Sequence, residues 1–317
     1  MRLARWRKVA VAAVLTALAL AGCGSAGGSR ATAAASSLAA NAAPAALADR
    51  PITSLSGPIV ALGDSYTAGD LLPLDLNSVP FGCYRSPKAY PQAVAAALGD
   101  KQGLDDVACS SAGVADITGA EHTSDGTNPP QIGALSSSDQ LVMLTLGGDD
   151  LGFLNVLHKC MGLSWTNPWG SPCERHYTSG GVDQLAALVV REAPKLTAVL
   201  AAIHAHAPSA RVVLVGYPDL FPEHGGCWPV VPITDGDLSY LRGIAVQLNA
   251  MLATTAKATG TTFVDTYAPT VGHDFCSDGK VRYVEGLIPG SLTAPFHPNA
   301  RGQAEIASLI LKTLASS

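Results

Sequence analysis

The chain has 317 residues, of which 48% are hydrophobic and 14% are charged, and its formal net charge is −5 at pH 7. This length and apolar content are sufficient to bury a substantial core. The acidic balance argues against nucleic acid as a partner, because phosphate binding needs a basic face that this composition does not offer.

Residues 1–22 have the pattern of a secretory signal peptide. Four cations within the first eight residues precede an apolar run over 9–20, which is too short for a comfortable transmembrane helix. The letters LAGC at 20–23 follow and resemble a lipoprotein cleavage box. This resemblance implies that Cys23 becomes the lipidated first residue of a protein held at the outer face of the cell membrane. The alternative is an ordinary signal peptide cut nearby, which gives a secreted protein.

Residues 23–50 are predicted to form a flexible tether. The stretch is largely Ala, Ser, Gly and Thr without a periodic apolar face, so it cannot bury enough surface to fold alone. Without the four leader cations, 16 Lys and Arg stand against 25 Asp and Glu, which is a formal charge of −9. Residues 51–317 contain no second linker or repeat and are predicted to form one domain.

Short β-branched runs alternate with helical patterns along this domain. Strands are predicted over 59–62, 106–109, 141–146, 211–215 and 262–265, and helices over 90–98, 182–207, 238–259 and 300–314. Such alternation indicates a parallel sheet that is covered on both faces. We therefore predict an α/β fold, a three-layer α/β/α sandwich around a central, mostly parallel five-stranded sheet.

Long loops are predicted over 70–89, 158–180 and 217–234, and long loops in a compact domain often carry function. Trp165, Trp169 and Trp228 lie in them. These side chains are expected either to form walls of an acyl or leaving-group pocket or to pack loops that disulfides hold.

The first predicted strand delivers a serine into a turn at its carboxyl end. The run IVALG at 59–63 leads directly into Asp64 and Ser65, so Ser65 is a candidate nucleophile, and a turn residue or helix cap is the alternative. Two further segments favour the nucleophile. The strand at 141–146 ends in GGDD at 147–150, and FHPN at 296–299 places His297 before the last helical pattern. A nucleophilic hydrolase requires such groups where strands and loops meet helices.

These three blocks, in this order and spacing, resemble the SGNH (GDSL-type) serine hydrolase family, from about residue 58 to the end. The letters ACSSAGVADI at 108–117 and VDTYAPTVGHDFCS at 264–277 are similar to its secreted, disulfide-bearing bacterial lipase and esterase branch. The resemblance implies an SGNH hydrolase domain over 51–317. It also implies an exported serine esterase or lipase that hydrolyses carboxylic esters through an acyl-Ser65 intermediate.

His297 matches the family's histidine block and is therefore expected to be the general base. His273, which precedes an aspartate, is the rival among eight histidines. Family enzymes commonly have an aspartate three residues before the base, and here that position is Ala294. The resemblance to the secreted branch implies a Ser65–His297 dyad in which the carbonyl of Ala294 or Pro295 orients the imidazole. A carboxylate from Asp274 or Asp278 remains an alternative.

For the oxyanion hole, the resemblance implies the backbone N–H of Ser65, a glycine N–H whose position falls on Ser111, and an asparagine amide whose position falls on Asp149. Both of the latter are departures from the family pattern. An ionised Asp149 would repel an oxyanion, whereas a protonated carboxyl can donate to it. Asp150 is expected to cap a helix and Asp64 to brace the serine turn. Ser65, Ser111, Asp149 and Asp219 all follow predicted strands and are expected at one edge of the sheet.

Six cysteines remain besides Cys23, and an even number in an exported chain favours disulfides. Six cysteines permit fifteen connectivities, and the family resemblance implies the sequential one: Cys83 with Cys109, Cys160 with Cys173, and Cys227 with Cys276. No CxxC pair or HxxxH helix indicates a metal, and residues 63–69 do not spell G-x-G-x-x-G, so no metal and no cofactor are expected.

The partners expected are a small-molecule or lipid ester substrate and, through Cys23, a membrane, with the protein as a monomer. Two further functions remain open. One is a carbohydrate or cell-wall O-acetylesterase of the same fold, whose polar pocket would exclude long acyl chains. The other is a weakly catalytic lipoprotein that binds lipid or glycan, a hypothesis that Asp149 motivates.

Overall fold

Five strands pair into one parallel sheet in the computed structural model, which describes residues 51–316. The sheet has the order β2-β1-β5-β6-β7, and β3 and β4 form a separate antiparallel hairpin. The strands are β1 (Ile59–Gly63), β2 (Leu104–Asp106), β3 (Glu121–Thr123), β4 (Gly126–Asn128), β5 (Leu141–Thr145), β6 (Arg211–Val215) and β7 (Thr262–Val264). The five-stranded parallel sheet that the sequence predicts is confirmed, whereas the hairpin was not predicted.

One strand was predicted with the wrong bounds. The run 106–109 does not form the second strand, which begins and ends earlier, at Leu104 and Asp106. The chain beyond β2 nevertheless continues alongside β1, since Val107 N–H donates to Ala61 at 3.0 Å and Cys109 N–H donates to Gly63 at 3.0 Å. This part of the chain lies outside the regular strand pairing, so the run at 106–109 predicted the strand too late in the sequence.

Residues 51–316 also contain seven α-helices, besides short 3-10 helices: α1 (Ser65–Ala68), α2 (Tyr90–Ala97), α3 (Phe153–Ser164), α4 (Pro172–Thr178), α5 (Gln184–His206), α6 (Asp235–Thr259) and α7 (Ala300–Ser316). The four predicted helices are confirmed to within three residues at each end. The loop predicted over 158–180 is wrong, because α3 and α4 occupy most of it. Val156, Leu157, Cys160 and Met161 form the buried stripe of α3, a helical spacing within a segment rich in turn residues.

Alternation of side chains along the strands divides the core into two layers. Val60, Leu62, Val142 and Leu144 face the cluster that contains the buried residues of α3, α5 and α6. Ile59 and its neighbours Leu141, Met143, Val213 and Val215 face α2 and α7. The strands are therefore buried on both faces, and the three-layer α/β/α sandwich is confirmed.

Three disulfides cross-link the described residues. They join Cys83 with Cys109, Cys160 with Cys173, and Cys227 with Cys276, which is the sequential pairing that the family resemblance implies. In a chain-entropy model each such closure typically contributes about 2 to 4 kcal/mol.

The predicted signal peptide, the tether and Cys23 lie outside the described residues. Among the helices of residues 51–316, none combines the length and the apolar character that crossing a membrane would require.

Candidate active site

Ser65 stands where β1 turns into α1. Gly63 has φ +110°, and a Cβ there would collide with the carbonyl oxygen of Thr145 on β5, so glycine is required at this close approach. Asp64 is the N-cap of α1 and accepts a hydrogen bond from Tyr66 N–H at 2.9 Å. The brace expected of Asp64 is thus present, and it holds Ser65 at the carboxyl end of a central strand.

The side chains of Ser65 and His297 are in hydrogen-bond contact, although 232 residues separate them. Ser65 Oγ lies 2.7 Å from His297 Nε2, and His297 Nδ1 lies 2.8 Å from the carbonyl oxygen of Pro295. A carbonyl oxygen only accepts, so Nδ1 carries the proton and Nε2 is left as an acceptor for the serine hydroxyl. Of the two carbonyls considered in the sequence analysis, that of Pro295 makes the contact.

The environment of His297 favours a neutral imidazole. The ring is 4% exposed, and burial lowers its pKa below the ordinary value, opposed by the nearby charge of Asp70 and by the hydrogen bond to Pro295. A ring that is neutral near pH 7 can take up a proton, as a general base must.

Several contacts hold the segment that carries His297. Tyr66 donates its hydroxyl to the Phe296 carbonyl at 2.7 Å, and its ring lies 5.0 Å from the imidazole. Phe296 has φ +62°, an uncommon conformation for a side chain of this size. Glu285 pairs with the same segment through its backbone, donating to His297 at 3.0 Å and accepting from Phe296 at 3.1 Å. Neither Tyr66 nor Glu285 was predicted as a site residue, although the position of Tyr66 next to the serine was a usable signal.

Ser65, Ser111 and Asp149, the residues expected to form the oxyanion hole, line the same pocket as His297. Ser111 has φ +75°, a conformation that favours glycine, at the position where the family resemblance expects one. The backbone N–H groups of Ser65 and Ser111 donate to no other group within residues 51–316. Any non-proline residue can supply such a donor.

Asp149 lies on the pocket wall in the short 3-10 helix Asp149–Leu151, which follows β5. Burial, together with the like charges of Asp150, Asp70 and Asp116, raises its pKa to about 7. Its carboxyl group makes no hydrogen bond within residues 51–316. Near neutral pH the group is therefore divided between a form that can donate and a form that repels negative charge.

A buried network fixes the turn before Asp149. Gly148 N–H donates to the hydroxyl of Tyr217 at 2.7 Å, and Tyr217 in turn donates to the carboxylate of Asp64. The Tyr217 ring packs edge-on against Tyr66 at 5.0 Å. These hydrogen bonds connect the residues after β5 to the turn between β1 and α1 that carries Ser65.

The rest of the pocket is apolar. Its wall is formed by side chains from the 3-10 helix, α3, α5, α6 and the segment after β6, namely Leu151, Phe153, Leu154, Val156, Leu185, Leu220, Leu241, Ile244, Ala245 and Leu248. Carboxyl and hydroxyl groups are confined to the end near Ser65, and no lysine or arginine lines the pocket. The chemical character of this wall suits contact with hydrocarbon rather than with polar groups.

Other predicted candidates lie elsewhere. The rival base His273 stacks on Tyr283 and contacts the Val281 carbonyl at 2.6 Å. Asp274 accepts from Cys276 N–H at 2.8 Å, and Asp278 accepts from Lys280 N–H at 2.8 Å, so both carboxylates brace local turns rather than His297.

One expectation about acidic residues is wrong. Asp150 is not the N-cap of α3, a position that Gly152 takes; it lies within the 3-10 helix Asp149–Leu151, and its carboxylate accepts from Val114 N–H, at 2.9 and 3.1 Å, at the start of the 3-10 helix Val114–Ile117. Asp219 follows β6 and is buried, but it does not line the pocket with Ser65. Because β1, β2, β5 and β6 are parallel and all four residues follow strand ends, the expected common edge of the sheet holds for Asp219 as well as for Ser65, Ser111 and Asp149.

The three tryptophans were expected either to form pocket walls or to pack loops, and none of them lines the pocket. Trp165 and Trp228 pack together with ring centroids 4.6 Å apart, and Trp169 is 97% exposed. The first two lie next to disulfide-bonded segments, in agreement with the packing alternative. Within residues 51–316, no group of three or more His, Cys, Asp or Glu side chains could hold a metal ion.

Known proteins resemble this chain over most of its length. The model of the GDSL-like Lipase/Acylhydrolase family matches residues 61–305. A protein named Lipase 2 from Streptomyces coelicolor is 36% identical over 260 residues, which is 80% of this chain and 85% of that protein.

Two solved structures are also similar. Phospholipase A1 from Streptomyces albidoflavus NA297 has a TM-score of 0.67 at 31% identity, covering 82% of this chain and 100% of that one. An extracellular lipase from Streptomyces rimosus has a TM-score of 0.65 at 27% identity, covering 82% and 99%.

Proposed function

The chain belongs to the GDSL-like lipase/acylhydrolase family and is a carboxylic ester hydrolase, and we propose that it acts through an acyl-Ser65 intermediate with His297 as general base. The observation that carries this proposal is the contact of 2.7 Å between Ser65 Oγ and His297 Nε2 at the polar end of an apolar pocket. A serine hydroxyl is a weak nucleophile without a base in such contact.

In the first step, Nε2 removes the hydroxyl proton while Oγ attacks the ester carbonyl carbon. The imidazolium that forms keeps its Nδ1 hydrogen on the Pro295 carbonyl, which holds the ring in place and disperses part of its charge. The same imidazolium then protonates the departing alcohol. Water, activated by the neutral ring, hydrolyses the acyl-Ser65 ester in the second half of the reaction.

The developing oxyanion is stabilised by the unpaired N–H groups of Ser65 and Ser111, both on the pocket wall. The carboxyl of Asp149 contributes a third donor only while it is protonated. An asparagine amide at the same position would be a donor at every pH, whereas the Asp149 carboxyl is a donor only in its protonated form.

The acyl group of the substrate occupies the apolar part of the pocket. Burial of hydrocarbon contributes about 0.8 kcal/mol for each CH₂ group, so a medium or long acyl chain binds there better than an acetyl group. This wall of aliphatic and phenyl side chains favours the esterase or lipase function over the O-acetylesterase alternative, which calls for a polar pocket.

We further propose that the protein is exported and held at the outer face of the membrane through a lipidated Cys23. Three disulfides support export, because such bonds persist in oxidising compartments. The similar lipase from Streptomyces rimosus is described as extracellular. A Cys23→Ser protein should lose its association with membranes, and a variant that still sediments with them would contradict the anchor.

The catalytic proposal is tested with Ser65→Ala and His297→Ala on p-nitrophenyl butanoate, p-nitrophenyl hexadecanoate and acetylated xylan. Each variant should lose at least about 10³-fold in kcat while keeping its circular dichroism spectrum, because the two groups act as one unit. His273→Ala is the matched control, since His273 also contacts a backbone carbonyl but lies outside the pocket. Near-normal turnover by either dyad variant would refute the mechanism, and activity confined to acetylated xylan would favour the O-acetylesterase.

A further inference from the structure

Asp70 has a buried oxygen atom that no protein group satisfies. The residue is 8% exposed and lines the pocket with Ser65 and His297. Its Oδ2 accepts a hydrogen bond from the hydroxyl of Ser110 at 3.0 Å, and the N–H of the adjacent Leu71 lies near the carboxylate, whereas Oδ1 is buried without a hydrogen bond of its own. A buried acceptor without a partner costs free energy, and a group on a bound ligand can supply the missing donor.

Asp70 lies next to the segment that carries His297. Its backbone carbonyl accepts from Ala294 N–H at 3.0 Å and from Thr293 Oγ1 at 3.1 Å, so it is joined to the segment that carries His297. His297 must reach the leaving oxygen in order to protonate it. The apolar wall of the pocket, where the acyl group is proposed to bind, is by contrast formed mainly by side chains of α3, α5 and α6.

The charges of the pocket define the kind of alcohol that fits. Asp64, Asp70 and Asp149 line it and no lysine or arginine does, so an anionic alcohol group is disfavoured. Asp64 is occupied by Tyr217 and Tyr66, which leaves Asp70 as the acidic acceptor next to the His297 segment.

We propose that Asp70 Oδ1 forms a subsite that accepts a hydrogen bond from a free hydroxyl group on the alcohol part of the ester, so that partial esters of polyols are preferred substrates. This inference rests on the proposed ester hydrolysis at Ser65. A hydroxyl group of the substrate donates the hydrogen bond that Oδ1 otherwise lacks, while the Ser110 hydroxyl continues to donate to Oδ2.

Asp70 also influences His297 electrostatically, and the test must separate that effect from substrate recognition. An effect through His297 changes the hydrolysis of every ester by a similar factor. Loss of the subsite changes only esters that carry a hydroxyl. The informative quantity is therefore the ratio of kcat/KM for 1-monooctanoylglycerol to kcat/KM for propyl octanoate, which have the same acyl group and the same number of alcohol carbons.

The wild-type protein should prefer the glycerol ester, and Asp70→Ala should lower the ratio by about 10- to 100-fold, as expected for a hydrogen bond to a charged group. Asp70→Asn retains an acceptor oxygen and should lower it less. Asp219→Ala is the matched control, because Asp219 is also buried with one unpartnered oxygen but lies outside the pocket. This control should keep the wild-type ratio.

Equal losses on both esters in Asp70→Ala would assign Asp70 to His297 instead and overturn the subsite. A wild-type ratio near one would overturn it as well. Preference for octanoylcholine over both esters, abolished in Asp70→Asn, would show recognition of a cation rather than a hydroxyl and would also refute the proposal. If the wild-type protein hydrolysed none of these esters, the proposed function itself would have failed, which is a distinguishable result.

Discussion

Replacement of Asp149 by asparagine supplies a permanent amide donor at the oxyanion side of the pocket and removes an ionisable group. The two side chains have nearly the same size and shape, so the wall beside Ser65 and Ser111 should keep its form. We expect Asp149→Asn to raise kcat/KM, and to raise it more as the pH increases. The reason is that only the protonated carboxyl of the wild-type protein can donate to the oxyanion.

The magnitude follows from the pKa of Asp149, which burial and neighbouring carboxylates raise to about 7. With that pKa, about half of the Asp149 carboxyls are protonated at pH 7 and about 1% at pH 9. Loss of one oxyanion donor costs about 10² to 10³ in rate, so the ionised form contributes little. The ratio of the variant's kcat/KM to that of the wild type should therefore rise from about 2 at pH 7 to about 50 to 90 at pH 9, where the slow ionised form supplies part of the wild-type rate.

The assay is kcat/KM for p-nitrophenyl butanoate between pH 5 and pH 10, corrected for spontaneous hydrolysis. Both proteins should share a limb at low pH, because His297 must be deprotonated and burial lowers its pKa below 6.5. Wild-type activity should fall above about pH 7, and the variant should lack this fall. Asp150→Asn is the control. It removes the neighbouring like charge, lowers the pKa of Asp149 and should move the alkaline limb to lower pH without abolishing it.

An Asp149→Asn protein with the wild-type pH profile and an unchanged kcat would refute this reasoning. The backbone N–H groups of Ser65 and Ser111 would then suffice for the oxyanion. Asp149 would in that case be a structural residue of the pocket wall.

Three further changes test other parts of the structure. Ala245→Phe should fill the apolar pocket beside α6 and lower kcat/KM for the hexadecanoyl ester at least about tenfold more than for the butanoyl ester; equal losses would exclude this wall from acyl binding. Tyr66→Phe leaves the Phe296 carbonyl without its donor and should lower both the free energy of unfolding, by about 1 kcal/mol in urea titrations, and kcat. Loss of stability without loss of kcat would show that the contact does not position His297. Joint replacement of Cys227 and Cys276 by serine should lower the free energy of unfolding by about 2 to 5 kcal/mol, and an unchanged urea midpoint would contradict that role.

The layered sheet could be predicted because its signals are local. Buried parallel strands appear as short apolar runs such as 59–62 and 141–146, and the helices between them show their own periodicity. Helix α3 was not predicted because turn signals flank it: the glycine- and aspartate-rich run 147–152 precedes it, and glycine and proline follow it at 168–172. The second strand was displaced because the chain continues beside β1 after the regular pairing has ended.

The sequence by itself determined that Ser65 follows a buried strand, that His297 precedes the last helix, and that no carboxylate occupies position 294. Only the tertiary structure decided that Pro295, rather than Ala294, holds the imidazole, and that Asp70 enters the pocket while Asp219 does not. Contacts such as that of Tyr66 with the carbonyl 230 residues away depend on how distant loops meet at one edge of the sheet. The pKa of Asp149 depends on that meeting as well, because burial and the charges around a carboxyl are properties of the folded chain.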